Sequence, residues 1–549
     1  MSALVTGPVW PLAVLVWPLL LGLVPVLRAG RAHALQVLPF APLPALALAM
    51  AGAGGVTEAP DLLLGVVLAA DPAGVLLLGV TALIWAVAGW QAAHTLEPGP
   101  EAGIFAGFWA LTLAGNLGVF LAADAVTFYV AFAAVSLAAW FLVIHDRTEE
   151  ALAAGRVYIV MAVLGEVALL FGLILGVQAA GSMLIADIRG AWGQAPAVAP
   201  WLLLAGFGIK AGMVPLHVWL PLAHPAAPVP GSAVLSGAIV KAGLIGVLIL
   251  LPSDLVGGAL VALGLAGAFG AALWGLTQTN AKAVLAYSTV SQMGLMLALA
   301  GAGQGAVAYY AAHHGLAKGA LFLSVGAVLA TTGAARVMAM AVAAVAAGSV
   351  AGLPLSGGAL AKAAAKPGLA DWLGHTITAS SVTTALVMGW FLSRLHRSEM
   401  KKSPRAPGVQ AVAAAALALA ALAAPWVLWG GWADLPSDYA LGRAPVLEAL
   451  MPVLGGLAVL AWVLRHPPRA QAPGDLLLML PRLRLRWIEG WFVGGATLGA
   501  VVPPAFRSAF HRRLRRAAAV LRLADAWICR WPFTGTVLVG LALALVWIM

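Results

Sequence analysis

Apolar stretches long enough to cross a lipid bilayer recur along almost the whole chain. A transmembrane helix needs about 20 mostly apolar residues, and this sequence of 549 residues contains sixteen segments of that kind. Only 9% of its residues are charged, whereas soluble globular proteins carry roughly 25%. The pattern predicts an all-α polytopic membrane protein with about sixteen transmembrane helices. It excludes a soluble enzyme, a disordered chain and a coiled coil.

The predicted spans are separated by polar, glycine-rich or proline-rich connections. They cover residues 10–27, 33–54, 73–92, 104–122, 124–144, 153–178, 199–221, 229–251, 255–276, 281–301, 305–333, 338–366, 374–396, 409–430, 446–464 and 530–548. The stretch 61–72 is too short to span a bilayer, so we expect a loop or a small hairpin there.

Basic residues are concentrated in the loops that follow the odd-numbered spans. Those loops include Arg336 and Lys401, whereas the opposite loops carry only Arg189 and Arg443. Because cytoplasmic loops are enriched in lysine and arginine, the N-terminus is predicted to lie outside. Topology thus explains the net charge of +10, and no nucleic-acid partner is predicted. The basic stretch 505–525 is expected to lie on anionic lipid or to dock an acidic subunit.

Five lysines fall inside predicted spans, where charge is expensive. A charge near the bilayer centre costs about 2.5–3.5 kcal/mol on insertion scales. Such residues usually face the bundle interior or a water-filled path and mark an ion pathway. The alternative is a lysine that is paired with a carboxylate or that extends to the interface. The five are Lys210, Lys241, Lys318, Lys362 and Lys366.

Two spans are interrupted by proline. The span 199–221 meets Pro215 after Lys210, and the span 338–366 meets Pro354 before Lys362. Proline frees a backbone carbonyl, which is tolerated at membrane depth only where protein or water satisfies it. Broken helices in corresponding positions indicate inverted repeats around an ion path.

The two broken spans define the domain boundaries that we expect. Each lies fourth in a unit of five spans, and five is odd, so the second unit is expected to be inverted relative to the first. We therefore expect two inverted five-helix repeats between N-terminal and C-terminal helices. The four parts are 1–103, 104–251, 255–396 and 397–549.

Histidines accompany the lysines. His217 and His224 follow the first break, and His313 and His314 precede Lys318 in a later span. His314 and Lys318 are four residues apart and share a helix face, which suits a proton relay, while His313 points about 100° away. Both residue types exchange protons when burial and neighbouring charges alter their proton affinity. The alternative is that these histidines only brace the fold through hydrogen bonds.

Two stretches carry a resemblance to a known family. One contains Lys210-Ala-Gly-Met-Val-Pro-Leu-His-Val-Trp-Leu-Pro, and the other spans 281–325. They resemble the antiporter-like subunits of respiratory complex I, Mrp cation antiporters and formate-hydrogenlyase-type membrane hydrogenases. The resemblance covers roughly residues 60–400. It implies that Lys210 and Lys241 belong to a first proton half-channel, and that Lys318 and Lys362 belong to the connecting and second half-channels.

One departure from the family concerns the partner of Lys210. In the family, span 5 carries a glutamate for this lysine, whereas here Ala133 stands at that position, or Ala134 if the register shifts by one. Glu166 is the one carboxylate deep inside a neighbouring span. Because pairing would offset the cost of burying both charges, we expect Glu166 to take over the role. The alternatives are a neutral, hydrogen-bonded Glu166 or a channel that no longer conducts.

These features predict a proton-translocating, antiporter-like subunit of a multisubunit membrane redox complex. We expect no cofactor, no metal and no redox site in this chain, because the single cysteine, Cys529, cannot form an internal disulfide or supply a cysteine-ligated cluster. The expected partners are other membrane subunits, lipid, and protons or Na⁺, in a bacterial inner membrane. The alternatives are an Mrp-like cation/proton antiporter, the membrane half of an inorganic-carbon uptake system, and a non-conducting scaffold.

Overall fold

A computed structural model describes residues 9–27, 30–52, 55–400 and 405–474. The predicted span 530–548, the basic stretch 505–525 and Cys529 lie outside these ranges. Within them, 11 helices are long and apolar enough to cross a membrane, and shorter apolar helices supplement them. The chain is therefore a mostly helical, multi-pass membrane protein, as predicted.

The helices of the first half follow the predicted spans closely from residue 72 onward. They are α1 (Trp10–Gly22), α2 (Leu43–Met50), α3 (Pro72–Thr95), α4 (Pro100–Leu121), α5 (Ala125–Val143), α6 (Glu149–Ala180), α7 (Ile185–Gly190), α8 (Val198–Ala211), α9 (Trp219–Ala226) and α10 (Val229–Leu250). The prediction of one helix over 33–54 is wrong. Pro39, Pro42 and Pro44 divide that stretch into 3₁₀ turns and the short α2, because proline lacks the N–H that a continuous helix needs.

The helices of the second half also match their predicted spans. They are α11 (Ser253–Gly275), α12 (Ala281–Gly301), α13 (Val307–Ala330), α14 (Gly333–Ala351), α15 (Gly357–Ala364), α16 (Asp371–His396), α17 (Pro407–Trp432) and α18 (Arg443–Arg465). The helices α12 and α13 form the centre of the bundle, since nearly all their residues are buried. By contrast, α18 exposes large apolar side chains such as Met451 and Trp462, as expected of a helix that faces lipid.

Loops that share a predicted side of the membrane contact each other. At the start of α14, the Arg336 guanidinium donates hydrogen bonds to the carbonyl oxygens of His396 (3.0 Å) and Ser398 (2.9 Å). Arg405 likewise donates to the carbonyl oxygen of Leu96, at 3.2 Å. All of these loops were predicted to be cytoplasmic, and the contacts place them on one side of the bundle. Which side faces the cytoplasm stays a prediction.

A small hairpin lies on the opposite face, close to the stretch predicted to be a loop or hairpin. Its strands β1 (Thr57–Ala59) and β2 (Val66–Leu68) pair antiparallel. The buried carboxylate of Asp124 caps α5 by accepting a hydrogen bond from the Thr127 N–H, and it also accepts one from the Val67 N–H, each at 2.8 Å. The hairpin thereby covers the loop between α4 and α5.

Both proline-interrupted spans are broken where the sequence predicts. The helix α8 ends at Gly212 (φ 72°) before α9 begins, and α14 ends at Gly352 (φ 92°) before α15 begins. A left-handed residue ends a helix, and glycine adopts that conformation without steric cost. The two broken helices run in opposite directions relative to the two sets of loops. The inverted relation of the two five-span units stays a prediction.

Candidate functional site: a buried series of lysines and histidines

Glu166 of α6 and Lys210 of α8 line the same small cavity beside the first helix break. Both side chains are buried, with Glu166 6% and Lys210 4% exposed. Phe132, Ser136 and Tyr158 also line this cavity. The Lys210 ammonium lies 5.5 Å from the centre of the Phe132 ring, which is within the range of a cation–π contact. The other residues that line the cavity are apolar.

The carboxylate and the ammonium of this cavity face each other without a direct ion pair. Among the described residues, no nitrogen–oxygen contact within 4 Å joins Glu166 to Lys210, and the buried Oε2 atom of Glu166 has no hydrogen-bond partner there. Their opposite charges lie within interaction range across the cavity. On α5 the cavity-lining residues are Phe132 and Ser136. Ala133, the position expected for the family's glutamate, is half-buried and does not line the cavity.

His217 and His224 lie beyond the first break and are both buried. His217 sits beside Tyr287 of α12, with 6.4 Å between the ring centres. His224 of α9 stacks on Phe322 of α13, with ring centres 4.6 Å apart. Neither ring nitrogen of His224 has a hydrogen-bond partner among the described residues. The imidazole of His224 therefore stacks on Phe322, and neither of its buried nitrogens is engaged by a described protein group.

Lys241 and His314 make the most direct contact of the series. The Lys241 Nζ donates a hydrogen bond of 2.6 Å to the carbonyl oxygen of Ser236 and lies 3.0 Å from the Nδ1 atom of His314. Residues Leu235–Ile239 of α10 are π-helical, and such a turn frees carbonyl groups from the regular ladder. The Ser236 carbonyl is one of these. Lys241 therefore joins the first half of the bundle to the central helix α13.

Lys318 does not pair with His314, although both lie on one face of α13. Its ammonium instead donates to α12, to the hydroxyl of Ser288 at 2.7 Å and to the carbonyl oxygen of Leu285 at 3.1 Å. The spacing of four residues correctly placed Lys318 near His314, but it did not reveal that each would choose a partner on a different helix. Tertiary contacts, which sequence spacing does not encode, decide between such partners.

His313 faces the second half of the bundle. Its Nε2 atom lies 2.9 Å from the hydroxyl of Ser349, three residues before the second break. Gly357 and Gly358, at the start of α15, pack against this imidazole, and a methyl group on Gly358 would overlap the Ser349 carbonyl oxygen. His313 and His314, adjacent in sequence, thus contact opposite halves of the bundle.

Lys362 lies just beyond the second break, in a larger cavity that opens to the surface. Its ammonium donates a hydrogen bond of 2.7 Å to the hydroxyl of Ser381 on α16. The cavity has about 540 Å³ of empty volume, and Gly352 and Tyr439 are among its other lining residues. Burial, with a smaller contribution from the charge of Glu448, raises the pKa of the Tyr439 hydroxyl. This phenol therefore stays protonated at neutral pH.

Lys366, the outermost of the five lysines, forms an ion pair at the mouth of this cavity. Its ammonium contacts the Oε1 atom of Glu448 on α18, and the Thr378 hydroxyl donates to the same oxygen at 3.2 Å. Sequence reasoning missed Glu448. Its position near the end of a predicted span was the available signal, because a carboxylate there needs a cation or water.

Four of these groups follow one another along α13. Phe322, which stacks on His224, lies at one end of this series, and Lys318, His314 and His313 follow it towards the start of α13. At 1.5 Å per residue the four span about 13 Å. Beyond His313 the series continues through Ser349 towards Lys362. Within the described ranges, no group of three or more histidine, cysteine, aspartate or glutamate side chains could hold a metal ion.

Comparison with known proteins identifies the family to which the site region is similar. Residues 122–393, which contain the site residues from Glu166 to Lys362, match the family described as NADH:quinone oxidoreductase/Mrp antiporter, transmembrane. The chain carries the transmembrane region of that family. The expected resemblance is confirmed, and the match extends from the end of α4 into α16.

Two relatives and one solved structure show the range of the likeness. Hydrogenase-4 component B of Escherichia coli (strain K12) is 33% identical over 250 residues, which cover 40% of this chain and 37% of the relative. An Na(+)/H(+) antiporter subunit of Alkalihalophilus pseudofirmus is 28% identical over 293 residues, covering 49% of this chain and 58% of the relative. The structure of the Mrp complex from Dietzia sp. DQ12-45-1b has a TM-score of 0.70 at 25% identity, covering 98% of this chain and 62% of that chain.

The matched length limits what these relatives imply. The alignments span less than two thirds of each of the two curated relatives. What these relatives share with this chain is therefore an antiporter-like transmembrane core, and the activity and partners of whole relatives bear only on the proposed function.

Proposed function

We propose that this chain conducts protons through two half-channels that meet at α13, as one subunit of a larger membrane complex. The observation that carries the proposal is the Lys241–His314 contact of 3.0 Å, together with the 2.9 Å contact from His313 to Ser349. Two adjacent imidazoles on one buried helix thereby touch both halves of the bundle. A proton that reaches His314 from Lys241 has a second titratable group one residue away.

The first half-channel begins beside Glu166 and Lys210 in this proposal. A buried ammonium is costly unless it has a counter-charge, and Glu166 is the carboxylate that shares its cavity. A change of charge at Glu166 would bias the proton occupancy of Lys210, and in turn of Lys241. The path is then completed by Lys318 and the histidines of α9 and α13, and it leaves through Lys362.

The partners that we propose are other membrane subunits, in a bacterial inner membrane. The solved structure compared above is described as an Mrp complex. The Escherichia coli relative is described as component B of hydrogenase-4. A redox centre, where one drives this proton movement, would then reside in another subunit, and conformational or electrostatic coupling would link it to Glu166 and Lys210.

The test of the proton path substitutes Lys241 and Lys318 in the assembled complex. Lys241→Ala and Lys318→Ala remove a buried charge without adding volume, so we expect assembly to survive. Proton flux into proteoliposomes, followed with a pH-sensitive dye, should fall by at least tenfold for each variant. His94→Ala is the matched control, because His94 is an exposed histidine at the end of α3. If either lysine variant assembles and conducts like the wild type, that lysine is not on the path.

A second candidate is an Mrp-like cation/proton antiporter, in which Na⁺ exchanges for protons. It is favoured by the likeness of 98% of this chain to the Mrp complex structure and by the Na(+)/H(+) antiporter relative. The same proteoliposomes distinguish the two candidate functions by their response to Na⁺. An imposed Na⁺ gradient should drive proton movement only in the antiporter, whereas a redox-linked proton pump should not respond to it.

A further inference from the structure

The mouth of the Lys362 cavity holds two lysines and one carboxylate. Lys362 lies on α15 and Lys366 lies two residues after the end of that helix, and both line the cavity with Glu448. Glu448 is the one carboxylate among the lining residues of this cavity. A single carboxylate can neutralise only one of two neighbouring ammonium groups, and nearby like charges repel each other. The imidazole of His375 on α16 also lies within electrostatic range of Glu448.

Glu448 is engaged by the outer lysine in this structure. Lys366 and the Thr378 hydroxyl both contact its Oε1 atom. The side chains of the pair are partly exposed, 23% for Lys366 and 45% for Glu448. The inner lysine, Lys362, meanwhile binds only the neutral hydroxyl of Ser381 in the described part of the chain. The ion pair therefore stands between the inner lysine and the predicted outer surface.

We propose that Glu448 has two alternative cationic partners, Lys366 and Lys362, and that the exchange between them opens and closes the outer mouth of the second half-channel. When Lys362 is neutral, Lys366 holds Glu448 and the mouth is closed. When Lys362 carries a proton, it competes for Glu448 and repels Lys366, so the pair separates. The open mouth then admits water, to which Lys362 releases its proton. This gate rests on the proposed function, because Lys362 must gain and lose a proton.

A cysteine placed beneath the ion pair can report whether the mouth is open. Cys529 is the single native cysteine, so Cys529→Ser gives a cysteine-free background. Ala359 lines the cavity one turn before Ala363, nearer the helix break than the ion pair, and Ala359→Cys supplies the reporter. Membrane-impermeant thiol reagents added from outside to cells that contain the whole complex should label it slowly in the otherwise unchanged protein.

Substitutions at the pair should change this labelling rate. Glu448→Gln and Lys366→Gln should each raise it by about tenfold, because Lys366 is no longer held across the mouth. Lys362→Gln, which removes the competing cation, should lower the rate below that of the reporter alone. The exchanged pair Lys366→Glu with Glu448→Lys should return it to the slow value. Asp434→Asn is the control, since Asp434 is an exposed carboxylate on the same side of the membrane that does not line the cavity.

Labelling with one anionic and one cationic thiol reagent distinguishes an open cavity mouth from a change in the electrostatic potential near the cysteine. Loss of the Glu448 charge alone would speed an anionic reagent and slow a cationic one, whereas an open mouth speeds both. The gate is refuted if Glu448→Gln moves the two reagents in opposite directions, or if Asp434→Asn has the same effect. If Glu448→Gln fails to assemble, Lys366→Gln and the exchanged pair decide the question.

The labelling experiment also distinguishes this proposal from the proposed function. Labelling requires no ion transport, so an unchanged rate in all pair variants overturns the gate even if proton flux is normal. Conversely, labelling that follows the expected order while the wild-type complex carries no proton flux supports the gate and overturns proton conduction as the function.

Discussion

The buried lysines beside the two helix breaks have different surroundings. Lys210 lies before its break, in a small cavity that also contains the carboxylate of Glu166. Lys362 lies after its break, in a cavity that opens to the surface, and its hydrogen-bond partner is the hydroxyl of Ser381. The carboxylate of the second cavity, Glu448, stands at the mouth and is bound to Lys366.

The two cavities differ in size, and the larger one reaches the partly exposed pair of Lys366 and Glu448. An ammonium sealed from water must have a counter-charge nearby, because its desolvation is otherwise uncompensated. An ammonium that faces a water-accessible cavity keeps part of its hydration, so a neutral hydroxyl is sufficient. The first site thus contains an internal pair of opposite charges, and the second has its ion pair at the partly exposed edge of the cavity.

The largest expected effect on proton flux comes from breaking the pair of Glu166 and Lys210. Glu166→Gln and Lys210→Ala should each strongly reduce proton flux, because each leaves the other charge buried without compensation, at a cost of about 3–5 kcal/mol. The double substitution should cost much less than the sum of the two, since the residues act as a pair. Flux per assembled complex is the measurement, normalised to expression level. Additive losses would show that Glu166 and Lys210 are not coupled.

A glutamate returned to α5 sharpens the same comparison. Ser136 lines the cavity and Ala133 does not, so Ser136→Glu should restore flux to Glu166→Gln better than Ala133→Glu does. Better rescue by Ala133→Glu would mean that the family's glutamate position, rather than the cavity wall, determines the coupling.

The next effect should come from the hydroxyl partners of the two sites. Ser381→Ala removes the hydrogen bond that positions Lys362, which is worth about 0.5–1.5 kcal/mol when Lys362 is neutral and about 1.5–3 kcal/mol when it is charged, so flux should fall about tenfold. Ser136→Ala should have a smaller effect, because the Ser136 hydroxyl bonds to the carbonyl oxygen of Phe132 and Glu166 already supplies the counter-charge. Equal losses in the two variants would contradict the proposed difference in how the lysines are stabilised.

A smaller effect is expected from the glycines that end α8 and α14. Alanine in the left-handed conformation costs about 1–2 kcal/mol, so Gly212→Ala and Gly352→Ala should both lower thermal stability in detergent. Gly212→Ala should cost more, because its methyl group would also meet the Leu220 side chain at 2.9 Å. A larger loss of thermal stability for Gly352→Ala than for Gly212→Ala would contradict this expectation.

The smallest effect on transport is expected from cysteines that only report orientation. With Cys529→Ser as the background, Met400→Cys should be labelled only from the cytoplasmic side, and Ala440→Cys, at the mouth of the Lys362 cavity, only from outside. Labelling of Met400→Cys by an impermeant reagent on intact cells would reverse the assigned orientation, and with it the direction in which the second cavity opens.

The order of the spans and both helix breaks could be predicted because each depends on local sequence. Runs of apolar residues define the spans, and Gly212, Pro215, Gly352 and Pro354 act through their own backbone geometry. The second span was mispredicted because hydropathy does not register how closely three prolines follow one another. The candidate lysines were also predictable, since a charge in an apolar stretch is conspicuous in any sequence.

The partner of each charge could not be predicted in this way. Spacing suggested that His314 would pair with Lys318. In the folded chain, His314 instead contacts Lys241, and Lys318 donates to Ser288 on α12. Glu448 was overlooked because its partner, Lys366, is 82 residues away in sequence. Such choices depend on which helices pack together, and residues far apart in the chain carry no local trace of that packing.

The sequence by itself determined that this chain crosses a membrane many times, where its helices break, and which ionisable residues the bilayer must accommodate. These properties follow from the cost of placing charge and unsatisfied backbone groups in hydrocarbon, which each residue incurs wherever its span lies. The tertiary structure alone decided that Glu166 shares a small cavity with Lys210, that two adjacent histidines contact opposite halves, and that Lys362 and Glu448 line one cavity. Pairing and solvent access are properties of the assembled bundle, because they depend on the distance between helices and on the space left between them.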